Sequence, residues 1–455
     1  MNKKTTLIKD AVVVTSKNCI PADILIKEGK IDALLTPGTL CDADETIDAK
    51  GRYVMPGCVD GHTHMMDPGN TDREEFSTGT MAAAVGGTTT IVDHHRNVPA
   101  VYDVQAHLEK IQFLEGKSCV DYGFMGGISP TNTKELKAMW DAGVVSFKTF
   151  TCNLHGVKAM HTSYLVEAFT EVARFNGTVL IHCEDDGICQ YNEEKLKAEG
   201  RTDYLSQWEW RSKLAERIAA KTVVEVAKET GCRVIIAHVS QPEILQVIHE
   251  AQEEGYEIYA ESCAHYFNLT VDDLAKKGPW VKFTPPMNTA EKKEELWKLF
   301  DRGYVTTMGS DHCPYPKSDK IPGEKNIWDA PNGIPGVETS LKAMLNGVNE
   351  GRTTLNRIVE CMCENPAKVY GLFPRKGHIE VGADADLVIL DMEKVETIRN
   401  ENIVSKCGWS AFEGKTFKGA ADTVLLRGRV IAEGGAFKGE VGYGKFTGRE
   451  ESCLK

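Results

Sequence analysis

The residues of this chain with the means to do chemistry close a series of apolar runs. His62 and His64 end the stretch Asp60-Gly61-His62-Thr63-His64, which follows Tyr53-Val54-Met55-Pro56-Gly57-Cys58-Val59. Side chains alternate across a strand, so both imidazoles point the same way. Their Cα atoms stand ~7 Å apart at the rise of an extended chain, a separation that lets the pair hold one metal ion. Lys148 lies inside Val144-Val145-Ser146-Phe147-Lys148-Thr149-Phe150. His182 closes Val179-Leu180-Ile181, His238 closes Val234-Ile235-Ile236-Ala237, and Asp311 follows Met308-Gly309-Ser310. Each has an ordinary structural explanation, such as a hydrogen-bonded core histidine. All six at matching strand ends point instead to one centre.

Lys148 is the unusual member. Burial disfavours the charged amine and lowers its pKa. A neutral amine adds carbon dioxide to form a carbamate (N6-carboxylysine), an anionic oxygen ligand able to bridge two metals. The alternative is a lysine whose ammonium reaches solvent along its alkyl stem. Beside four histidines and an aspartate the carbamate is the better expectation. Two cations lower the pKa of a water between them and polarise a carbonyl. Asp311 then takes a proton and passes it to a leaving nitrogen. Histidine, carboxylate and carbamate suit zinc first, with manganese, cobalt or iron as alternatives.

These ends must be brought together by the elements behind them. Strand-like runs are expected at 58–62, 88–93, 120–126, 144–150, 178–182, 233–239, 257–262 and 305–310, alternating with helical patterns such as 214–230 and 242–254. Eight such strands in an α/β alternation predict a (β/α)8 TIM-type barrel, whose chemistry sits at the C-terminal strand ends. Residues 7–14, 23–27, 30–35 and 45–48 read as short strands, and the chain turns β-rich again at 387–390, 423–427 and 430–432. We therefore expect a small discontinuous β-sandwich from residues 1–54 and 374–455 beside a barrel spanning 55–373. Residues 341–370 read as helical, and the Gly- and charge-rich tail 439–455 as loosely held.

The totals exclude some classes of partner. A net charge of −13 argues against nucleic acid. No apolar run approaches the ~20 residues of a membrane span. The first ten residues read as a strand, not a signal peptide, so the 14 cysteines are expected to be reduced thiols in a cytoplasmic protein. Cys183 and Cys313 neighbour His182 and His312, and alternation turns them away from the site. His265 reads as a packed loop histidine. In Asp93-His94-His95-Arg96-Asn97 a solvent loop and a substrate-facing role for His95 or Arg96 both stand open.

On these residues the chain resembles the amidohydrolase superfamily, and within it the cyclic amidases: dihydropyrimidinase and hydantoinase, allantoinase, and dihydroorotase. The resemblance covers nearly the whole chain, including Gly377-His378-Ile379 through Asp384-Ala385-Asp386-Leu387. It implies His62 and His64 as the first metal pair, His182 and His238 as second-metal ligands, Lys148 as the carboxylated lysine, and Asp311 as metal ligand and catalytic aspartate. It also implies a homotetramer or homodimer.

The branch is read from the neighbours. Asp67-Pro68-Gly69 and Glu75-Phe76-Ser77-Thr78-Gly79-Thr80 resemble allantoinase and dihydroorotase, and Asp121-Tyr122-Gly123-Phe124-Met125-Gly126-Gly127 is similar to allantoinase more specifically. Met66 stands where dihydroorotase has an arginine. Asn153 stands where hydantoinases carry a tyrosine, and is taken as a substrate contact. Ser310-Asp311-His312-Cys313-Pro314 and Asn332-Gly333-Ile334-Pro335 look like the hydantoinase branch. Thr284 and Asn332 match positions where that branch grips a cyclic amide through backbone groups. The expectation is a small cyclic amide or ureide opened at a C–N bond, with allantoin first and dihydropyrimidines or 5-substituted hydantoins second. A non-catalytic dihydropyrimidinase-related assembly protein comes third, because all six candidate ligands are present.

Overall fold

The structure is a computed structural model that describes residues 5–450. The chain begins with β1 (Thr5–Val14), β2 (Cys19–Lys27), β3 (Lys30–Leu35), β4 (Glu45–Asp48) and β5 (Tyr53–Pro56). Eight strands alternating with helices follow. They are β6 (Cys58–Thr63), β7 (Thr88–Asp93), β8 (Asp121–Gly127), β9 (Ser146–Phe150), β10 (Thr178–His182), β11 (Arg233–Ile236), β12 (Ile258–Cys263) and β13 (Thr307–Gly309). The last four are β14 (Leu387–Thr397), β15 (Thr416–Leu426), β16 (Arg429–Glu433) and β17 (Ala436–Phe437).

Strands β6 to β13 pair in chain order, all parallel, as the apolar runs predict. Such strands are buried on both faces, which explains their near-continuous hydrophobicity. Val59, Val92, Met125, Leu180 and Ile235 meet inside the barrel and are plugged by Tyr370 and Leu372. The opposite faces pack under the helices. The helix Lys213–Thr230 shows why these form: the Ser212 side chain accepts from the Ala215 amide, Ala219, Ala220, Val223, Val224 and Ala227 bury one stripe, and Gly231 at φ 67° stops it. The first and last strands meet where the Ser310 amide donates to Asp60 Oδ1 at 3.0 Å and the His64 amide to the His312 carbonyl at 2.8 Å. The molecule is an α/β protein with a (β/α)8 TIM-type barrel.

The remaining nine strands form one sheet, in the order β17-β16-β15-β14-β5-β1-β2-β3 with β4 on β1. The seam between the two chain ends is the antiparallel pair β5 and β14, with Val54 opposite Ile389 and Pro56 opposite Leu387. Ile8, Val13, Ile24, Ile26, Leu387 and Ile389 fill its core. Buried Lys376 joins this sheet to the barrel: its ammonium lies 2.6 Å from Asp121 on β8, 2.6 Å from Asp386 and 2.9 Å from Asp384.

One expectation is met in pieces and one changes. The stretch 341–370 is helical as expected, in more than one segment. Ser340–Asn349 ends at a turn, and Leu355–Val359 runs through a wider turn at 360–364 into Asn365–Val369. The tail is held rather than loose up to residue 450. Phe446 packs on His107, Tyr122 and Phe124, the Thr447 amide donates to the Tyr122 carbonyl at 2.7 Å, and Arg449 stacks on Trp140 at 3.4 Å. Its aromatic and guanidinium side chains cover barrel surface that glycine content alone does not reveal. Residues 451–455 lie outside the described residues.

Candidate metal centre and active site

The barrel brings all six expected side chains to one cleft: His62, His64, Lys148, His182, His238 and Asp311 line it together. Local backbone departures aim them. Val59 fills the barrel interior, so strict alternation would turn His62 outward; a register shift in β6 between Asp60 and Thr63 brings it to the mouth. Gly61 allows the approach, since a Cβ there would lie 2.0 Å from the Tyr370 ring. His238 and Asp311 follow β11 and β13 at φ 38° and 45°. This left-handed backbone is uncommon outside glycine and clusters at functional sites.

Two buried glutamates set the tautomers. Glu261 Oε1 lies 2.6 Å from His62 Nδ1. A carboxylate only accepts, so Nδ1 carries the proton and Nε2 presents a lone pair. That Nε2 lies 3.3 Å from Lys148 Nζ and 3.3 Å from Asp311 Oδ1, and His64 Nε2 is 3.2 Å from the same oxygen. Glu184 Oε2 takes His182 Nε2–H at 2.7 Å, which leaves Nδ1 as the lone pair, 2.9 Å from His238 Nε2. Glu184 is itself held by Arg211 at 3.2 Å and by the Thr284 hydroxyl at 2.8 Å.

The electrostatics suit cation ligands, which must be deprotonated. Burial lowers His64 to about 3, and lowers His182 and His238 as well, so these imidazoles are neutral. Burial pushes Asp311 up, but His62, His64 and His238 outweigh it and hold the carboxyl well below its usual range. Lys148 is 1% exposed, with no carboxylate in ion-pair distance among the described residues, and burial lowers it to about 8.

The donor set fits divalent cations. Four ligands around one ion at 2.0–2.2 Å stand about 3.3–3.6 Å from each other, close to the spacings found around His62 Nε2 and Asp311 Oδ1. His64 Nε2 and His238 Nε2 face the same cluster, and the two carboxylate–histidine pairs are the arrangement that orients metal ligands. By contrast Asp121, Asp384 and Asp386 also cluster, but the Lys376 ammonium fills their centre.

The substrate expectations divide. Thr284 and Asn332 line the cleft, and Asn332 Oδ1 is buried without a partner. Asn153 is exposed and does not line it: its amide and Nδ2 both bond Asp186 at 2.7 Å, which turns the side chain away. Cys313, expected to point elsewhere, lines the cleft because positive φ at Asp311 ends the strand alternation. His265 packs on Tyr266 and Phe283 as expected, but from the short helix Ala264–Asn268 and not from a loop.

Sequence reasoning missed Glu184, Glu261, His94 and His155. Glu184 stands two residues after His182, and Glu261 lies inside an apolar strand, so buried-carboxylate signals were present. His94 stacks on His64 at 4.2 Å, with neither ring nitrogen partnered. His155 and Arg96 line the cleft, so the loop after β7 is not simply solvent-facing.

Comparison with known proteins adds the following. The model of the amidohydrolase family matches residues 53–431. The L-hydantoinase of Paenarthrobacter aurescens is 39% identical over 97% of this chain and 98% of its own length. An allantoinase of Salmonella newport is 33% identical over 93% and 94%. Among solved structures, the L-hydantoinase (dihydropyrimidinase) from Arthrobacter aurescens superimposes with a TM-score of 0.95 at 38% identity, covering 98% of this chain and 99% of that one.

Proposed function

The chain belongs to the amidohydrolase family, and from that premise we propose that it hydrolyses a ring C–N bond of a hydantoin or dihydropyrimidine. The observation carrying this reading is the convergence of bare donor atoms on His62, His64, Lys148, His182, His238 and Asp311, backed by Glu261 and Glu184.

In this reading His62 and His64 hold one divalent cation, His182 and His238 a second, and Asp311 adds an oxygen ligand; zinc is the first choice. The neutral form of Lys148, which burial favours, would give its Nζ lone pair to carbon dioxide and lose a proton, becoming a carbamate that would serve as an anionic oxygen ligand for the cations. When bound, the cations lower the pKa of water and polarise the carbonyl under attack. Asp311 receives the proton released from that water and returns it to the ring nitrogen as the C–N bond breaks. Water adds its oxygen to the carbonyl carbon, so the ring opens to a carboxylate and a neutral nitrogen. Thr284 and Asn332 steady the ring from the cleft wall.

The order of substrates is reversed from the sequence expectation. The hydantoinase match exceeds the allantoinase match, 39% against 33% identity. Allantoin remains the second reading, supported by that relative and by Asp67-Pro68-Gly69. A non-catalytic assembly role has no support from the retained donor set. The same reading takes the protein as a cytoplasmic homotetramer or homodimer, with domains dividing at 54/55 and 373/374; among the described residues no helix is long and apolar enough to cross a membrane. A panel of hydantoin, dihydrouracil and allantoin on metal-loaded enzyme tests the substrate: turnover of hydantoin or dihydrouracil above allantoin supports the order, and allantoin alone reverses it.

A further inference from the structure

One wall of the cleft carries positive charge that the ring-opening chemistry does not use. Arg96 lines the cleft beside the six donors. Nη2 donates to the His155 carbonyl at 3.4 Å, a long contact, the Tyr315 hydroxyl stands beside the guanidinium as a hydrogen-bond partner, and Nη1 is buried without a partner. Among the described residues no carboxylate lies within ion-pair distance of it. The one carboxylate in the cleft, Asp311, is engaged by His62 and His64.

The surroundings keep that charge unbalanced. His155 Nδ1 lies 3.3 Å from the Tyr315 hydroxyl, and burial, then Arg96 itself, hold His155 uncharged. Arg73 stacks on the other side, 3.5 Å from the Tyr315 ring centre, and its donors go to the Pro314 carbonyl and Cys313 Sγ rather than to an acid. A guanidinium is weakly hydrated and presents a planar fork that fits a carboxylate. Set in a concave wall with a free nitrogen, it serves as an anion subsite better than as a structural tether. An arginine kept only for packing would normally find a carbonyl or acid for each buried donor.

We propose that Arg96 selects substrates whose ring bears an anionic side group, a carboxyalkyl hydantoin or a ring carboxylate, by pairing with that carboxylate while the ring amide faces the six donors. This rests on the ring-opening reading above and narrows its substrate class.

An isosteric pair of substrates tests it: 5-(2-carboxyethyl)hydantoin and its carboxamide, 5-(2-carbamoylethyl)hydantoin, with unsubstituted hydantoin alongside. Metal-loaded native enzyme should favour the carboxylate in kcat/KM by about 10- to 100-fold, the scale of one charge-assisted contact. Arg96→Gln should collapse that preference, mostly through KM, and Arg96→Lys should restore part of it. Equal use of carboxylate and carboxamide by native enzyme overturns the inference. So does an Arg96→Gln loss that is the same for all three rings, which would place Arg96 on the ring and not on the side group. Failure to open any ring would instead reject the ring-opening reading, so the two failures are distinguishable.

Discussion

His182 Nδ1 and His238 Nε2 face each other across 2.9 Å, while Glu184 takes the proton on the far nitrogen of His182. Two imidazole edges are thus turned toward a common point by a carboxylate behind one of them. Glu261 does the same for His62 on the other side of the cleft.

Glu184→Gln removes the charge that fixes the His182 tautomer. Affinity for the second metal is expected to fall about 10- to 100-fold, read by competition with a chromogenic chelator. Thermal unfolding of the metal-free protein run in parallel separates this from lost packing at Arg211 and Thr284. Unchanged affinity would show that Glu184 does not orient a ligand.

Lys148→Ala removes the amine proposed to carry the carbamate. Bound metal should drop below two per chain and ring opening should be lost. A short carboxylic acid such as propionate, added to fill the vacated space, should restore part of both. Full activity with two metals and no added acid would reject the carbamate.

His107 gives an acid limb to stability. Burial, then Lys110, lowers it to about 4, and Phe446 of the tail covers its ring. The unfolded chain takes up the proton near pH 6.5, so the native state loses stability as pH falls from 6.5 toward 4 and keeps it above 6.5. The loss is on the order of 3 kcal/mol. Urea unfolding of His107→Gln between pH 7 and 4 should show a shallower decline than the native chain; identical slopes would exclude His107 as the source.

Much of the site was legible because five donors close or follow apolar runs and Lys148 lies inside one, and barrel strands deliver such residues to one mouth. His62 came out right for an incomplete reason. Alternation keeps it in step with His64, but only the register shift in β6 turns it inward. Past the strand ends the pattern has no authority. Asp311 at positive φ brings Cys313 into the cleft, and the loop carrying Asn153 bends to Asp186. The same loss of periodicity left Arg96 open and hid His155. Glu261 was missed because a single carboxylate in an apolar stretch announces burial but not its partner, and Glu184 because it opens the acidic run Glu184-Asp185-Asp186, which reads as a solvated turn. The tail looked loose by composition, yet Phe446 and Arg449 anchor it on barrel side chains far away in sequence.

The central claim is that these six side chains form a two-metal centre that opens a cyclic amide. Its most direct test is titration of metal-free enzyme with zinc in bicarbonate buffer, following hydantoin ring opening. The account predicts no activity at the start and a rise to a plateau near two equivalents per chain. Full activity without metal, or no turnover with two metals bound, would contradict it.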